Sequence, residues 1–61
     1  MNIYEFCFLA IEETEEVSIW SIKEEKEVFR GTYQDARNCI YDCEEVQSFG
    51  IENSIICINI E

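Results

Sequence analysis

Hydrophobic and polar positions divide this chain into short blocks, and most of the blocks alternate. Ile3 to Ile11 is β-branched and aromatic, with Ile3, Cys7, Leu9 and Ile11 on one side of an extended chain and Tyr4, Phe6, Phe8 and Ala10 on the other. That pattern predicts a first strand, apolar on both faces and interrupted only by Glu5. Glu12-Glu13-Thr14-Glu15-Glu16 reads as a charged turn. Val17 to Ile22 alternates as a second strand, Lys23-Glu24-Glu25-Lys26 is a polar turn, and Glu27 to Gly31 is a short third strand. Two short turns in succession predict an antiparallel meander.

The period changes at Thr32. Its hydroxyl is an N-cap candidate, and Asp35 three residues on completes a variant capping box and suits the positive end of a helix. Tyr33, Ala36, Ile40 and Cys43 follow at helical spacing with Cys39 beside them, which predicts a helix from about 33 to 45. Ser48-Phe49-Gly50 breaks the pattern, and Ile55 to Ile60 is a last strand. The order β-β-β-α-β defines a small α+β domain, an antiparallel sheet with one helix packed on one face. The whole chain, 1–61, is one domain.

A helix of about thirteen residues spans about 20 Å. It covers one face of the sheet, whereas the first and last strands are apolar on both. The other face therefore needs a cover, and a second copy of the chain is the simplest one. The sequence predicts a homodimer.

Charge changes the picture more than composition does. The net charge is −10 in 61 residues, with 14 acidic residues against 4 basic ones. All four cations (Lys23, Lys26, Arg30 and Arg37) lie in the middle, so both flanks are acidic. A field of that sign repels nucleic acid and anionic membranes and attracts basic surfaces. The apolar fraction of 48% excludes the composition of a disordered chain. No run approaches a membrane span, and the N-terminus lacks the basic and cleavable features of a signal peptide, so a cytoplasmic location is expected.

Candidate chemistry is sparse. Four cysteines without histidine raise an all-thiolate zinc site, but only Cys39 and Cys43 have close spacing, and Cys7 and Cys57 stand alone. Cys39 and Cys43 lie one helical turn apart, a poor geometry for a mutual disulfide. Core thiols are the expectation, ahead of metal, disulfide or a reactive thiol. The acids at 12–16 lack the calcium-loop pattern. No histidine serves as a base, no serine sits in a nucleophile elbow, and no glycine loop cradles phosphate. The expectation is a protein that is not an enzyme and uses no cofactor or metal.

The strand-strand-strand-Gly-Thr-helix order resembles the three-stranded-sheet-plus-helix DNA-binding domains of phage integrases, which are basic where this chain is acidic. In size and charge the chain resembles phage and mobile-element inhibitors, such as anti-CRISPR proteins and other nucleic-acid mimics. That resemblance implies an inhibitor that occupies the basic nucleic-acid-binding surface of a target protein. Glu12, Glu13, Glu15, Glu16, Asp42, Glu44 and Glu45 are the candidate phosphate surrogates, with Trp20 and Tyr41 as apolar anchors. The acids at 44 and 45 stand out because a helix carboxyl end disfavours anions. The alternative is a self-associating structural or regulatory module, including an antitoxin-like partner, whose acidity only keeps it soluble.

Overall fold

The computed structural model describes residues 1–8 and 15–61. Among these, the order is α1 (Ile3–Phe8), β1 (Glu16–Ser21), β2 (Lys26–Thr32), α2 (Tyr33–Arg37), β3 (Ser48–Glu52) and β4 (Ile55–Ile60). The α+β class stands, and the element order is close to the expected one. Two details differ. The sheet is mixed, in the order β2-β1-β4-β3, because β1 and β4 run parallel at its centre while β2 and β3 pair antiparallel at the edges. The segment expected as a first strand is a helix where it is described, and its remainder, 9–11, lies outside the described residues.

Asn2 explains why 3–8 is helical. Its side-chain Oδ1 accepts from the Glu5 amide at 2.8 Å, and the Glu5 carboxylate accepts from the Asn2 amide at 3.0 Å. This reciprocal pair is a capping box. Ile3, Phe6 and Cys7, at helical spacing, then turn toward the core, and Ile3 and Cys7 are wholly buried. Tyr4 and Phe8 pair outside, ring centroids 5.9 Å apart.

The second helix starts where expected, with the Thr32 hydroxyl accepting from the Asp35 amide at 3.2 Å. It ends at Arg37, not near 45. Asn38 closes it, its side-chain amide donating to the Gln34 carbonyl at 2.9 Å. Beyond it the chain runs in turns, with Asp42 bonded back to Cys39 and Glu44 to Tyr41. Asn, Cys, Ile, Tyr and Asp in succession are all mediocre helix formers, so nothing carries the helix past the cap. Ile40, expected on the buried stripe, is 87% exposed.

Residues 48–52 form a strand because a two-residue hairpin joins them to β4. Asn53 and Ser54 both take positive φ, 53° and 64°, as the favoured hairpin turn requires. Val17, Ile19, Ile58 and Ile60 line one sheet face and pack with Ile3, Cys7, Tyr33 and Ala36 into the core. Both helices lie on that side. No described helix is long and apolar enough to cross a membrane.

Candidate functional site

The register assigns the uncovered face of the sheet residue by residue. Arg30, Ser18, Cys57 and Gly50 form one row across it, and Glu27, Trp20, Asn59 and Ser48 form the next. Glu16, Ile55 and Glu52 lie on the same side at one end. This face is mostly polar, so the premise of an apolar second face needing a cover fails. That premise rested on two strands: 3–8 is a helix, and on this face the last strand shows Asn59 beside Cys57 and Ile55.

Trp20 is the large apolar side chain at the centre of this surface, 43% exposed. Beside it Ser18 donates its hydroxyl to Glu27 Oε2 at 2.5 Å. Arg30 reaches the same carboxylate oxygen from Nε at 3.2 Å and Nη2 at 3.0 Å, and Glu16 from Nη1 at 3.3 Å. The Ser18 bond, and then Arg30, hold the Glu27 carboxyl below its ordinary pKa. Ser18, Glu27, Arg30, Glu52, Ile55 and Cys57 border a shallow hollow of about 240 Å³. Its serine faces an ionised carboxylate that is already committed to arginine. The cluster is a hydrogen-bonded polar network in which the carboxylate nearest the serine is already paired.

Tyr41, Asp42, Glu44 and Glu45 lie elsewhere, on the helical side. The Glu44 and Asp42 carbonyls accept from the amides of Ile3 and Tyr4 at 3.0 and 2.9 Å, and Glu45 Oε2 lies 3.0 Å from the N-terminal ammonium. The backbone of Asp42 and Glu44 and the carboxylate of Glu45 therefore meet the amide end of α1, where negative charge is favoured, and none of the three residues lies at the carboxyl end of a long second helix. The supposed cost that singled out Glu44 and Glu45 is absent. Tyr41 is half-buried against the core and is no exposed anchor. Of the sequence-derived candidates, the fold brings Glu16 and Trp20 onto one face and sets Glu15 at the strand's start. Glu12 and Glu13 lie outside the described residues.

All four thiols are free. Cys7 is in the core, and burial, with Cys39 adding to it, pushes its pKa up to about 11. Cys39 packs against the core, Cys57 is half-buried on the open face, and Cys43 is exposed. The expectation of four core thiols thus fails for Cys57, which the register puts on the open face, and for Cys43, which the early end of α2 leaves outside. A hydrogen bond from its thiol to Asp42 raises its pKa as well. Among the described residues, no three Cys, Asp or Glu side chains converge as a ligand set.

Sequence reasoning missed a second feature, an open apolar groove of about 710 Å³ lined by Met1, Phe6, Tyr33, Val46 and Phe49 beside β3. Its signal was the alternation of Phe49 and Ile51 ahead of the Asn-Ser turn. No protein-family model, curated protein or solved structure matches the chain.

Proposed function

We propose that the protein is a non-enzymatic acidic binding module that occupies a basic, nucleic-acid-binding surface of a target protein, an inhibitor of the phage or mobile-element type. The observation that carries this reading is the open sheet face. It holds a half-exposed tryptophan and the carboxylates of Glu16, Glu27 and Glu52 on a polar plane, with Arg30 as its basic residue. Exposed acids at Glu15, Glu24, Glu25 and Glu61 extend the negative field around it. Such a field steers a basic partner, and the flat aromatic supplies a desolvated anchor.

The test is capture of nucleic-acid-binding proteins on the immobilised chain at about 0.05 M and about 0.5 M salt, where screening differs severalfold. The captured protein is then offered duplex DNA and RNA. The reading expects capture that is lost at high salt, competed by nucleic acid, and weakened by Trp20→Ala. Simultaneous binding of nucleic acid and this chain would overturn it.

A further inference from the structure

The two edges of the sheet are built differently. The edge formed by β2 carries Lys26, Glu27 and Arg30, and its pairing with β1 is interrupted by a bulge between Ile19 and Trp20. Charges and bulges are the usual means of keeping an edge strand from pairing with another chain. The edge formed by β3 has no bulge and no charge between its end residues. Its sequence is Ser-Phe-Gly-Ile-Glu, all five positions are exposed, and its only charge is terminal. It pairs with β4 in unbroken register, which leaves its other row of backbone N–H and C=O groups without a strand neighbour among the described residues.

Gly50, at the centre of β3, is unexplained within one chain. Its φ lies outside the left-handed region, and a Cβ there would meet nothing within 4 Å. Glycine in a strand weakens it, and often marks the close approach of another backbone. On either side, Phe49 and Ile51 point to the helical side yet remain 61% and 71% exposed. Phe49 is held there edge-on against Phe6, centroids 4.9 Å apart, at the rim of the apolar groove.

We propose that β3 pairs antiparallel with β3 of a second copy about a two-fold axis through Gly50, joining two four-stranded sheets into one. The strand is self-complementary in that register. Phe49 of one copy falls opposite Ile51 of the other, Gly50 meets Gly50, and Ser48 meets Glu52, so no carboxylate faces a carboxylate. The aromatic-aliphatic pairs fill the rims of both grooves. A basic partner finds little to select within this strand, whose one carboxylate, Glu52, stands at its end. The open sheet face remains uncovered, so this interface does not depend on the function proposed above.

Salt separates the two ideas by sign. Each copy carries −10, so screening should tighten the dimer, whereas it weakens capture of a basic partner. Sedimentation equilibrium of the whole chain at 1–100 μM should show a monomer–dimer equilibrium that strengthens from about 0.05 to about 0.5 M salt. Ile51→Lys should weaken it at least about tenfold with an unchanged circular dichroism spectrum, although the added lysine lowers the overall repulsion. Hydrogen exchange of the wild-type β3 amides should slow with protein concentration, a measurement that needs no variant. A wild-type monomer throughout this range, a dimer weakened by salt, a folded Ile51→Lys variant that dimerises normally, or concentration-independent exchange would each overturn the proposal.

Discussion

The amide of Ile3 donates to the carbonyl of Glu44 at 3.0 Å, so the first turn of the amino-terminal helix is tied to a segment far along the chain. Tyr4 repeats the contact with Asp42, and Val46 donates back to the Met1 carbonyl at 2.9 Å. A helix of six residues is far too short to persist alone. It persists because its amides are capped by Asn2 and by this distant loop while Ile3 and Cys7 are buried.

The cap should matter accordingly. Asn2→Ala removes the acceptor for the Glu5 amide and breaks the reciprocal pair, which typically costs about 1 kcal/mol. Urea unfolding should show that loss, with Asn2→Ser or Asn2→Asp recovering most of it. An unchanged midpoint for Asn2→Ala would mean that the loop contacts alone hold the helix.

Where local pattern admitted one interpretation, the sequence was legible. The strands at 17–21, 27–31 and 55–60 alternate, the polar turn at 23–26 closes the first hairpin, and Thr32 caps a helix as its hydroxyl and Asp35 suggest. Residues 3–8 are apolar at nearly every position, so they fit period 2 and period 3.6 alike. The Asn2–Glu5 box that decides between them is only a two-residue signal. The role of 42–45 was not legible, because it is set by contact with α1 and not by anything nearby in sequence. The stripe Tyr33-Ala36-Ile40-Cys43 fits a helix perfectly well, but Asn38 interrupts it. On the open face, the alternation of the second predicted strand was enough to put Ser18 and Trp20 on one side, whereas the ion pair of Glu16 with Arg30 comes from strand pairing that no local pattern shows.

Ser18 is almost fully buried at the foot of the open face, and its hydroxyl bonds Glu27. Ser18→Ala should cost about 1 kcal/mol, the usual worth of one such bond. It should also raise the Glu27 pKa toward the ordinary carboxylate value, since this bond is the first cause of its depression. Carboxyl-resolved NMR titration reads the second effect directly. A Glu27 that titrates as before would assign the depression to Arg30 instead.

The cysteines should rank by burial. Cys7→Ala empties part of a filled core and should cost about 2 kcal/mol, Cys39→Ala about 1 kcal/mol, and Cys43→Ala less than about 0.5 kcal/mol. Chemical denaturation of the three variants measures the order. A thiol-reactive probe under native conditions should label Cys43 fastest and Cys7 slowest. Equal losses at Cys39 and Cys43 would restore the long helix in which both lie on or beside the buried stripe.

Alkaline pH should destabilise the protein in part through Cys7. Its thiol titrates near 9.0 in an ordinary setting and is pushed up to about 11 in the fold, chiefly because the thiolate has no solvent there. Between those values the unfolded chain has given up its proton while the folded one keeps it, so the unfolded state binds fewer protons and stability falls as pH rises. The contribution is intact below about pH 9 and is lost by about pH 11, with a size on the order of 1–2 kcal/mol. Tyr33, raised by burial, then by Glu15 and by Cys7, pulls in the same direction. Urea midpoints at pH 8, 9.5 and 11 should therefore decline for the wild type and decline less steeply for Cys7→Ala. Parallel slopes for the two would assign the alkaline loss to Tyr33 and the rising net charge, and would remove Cys7 from the account.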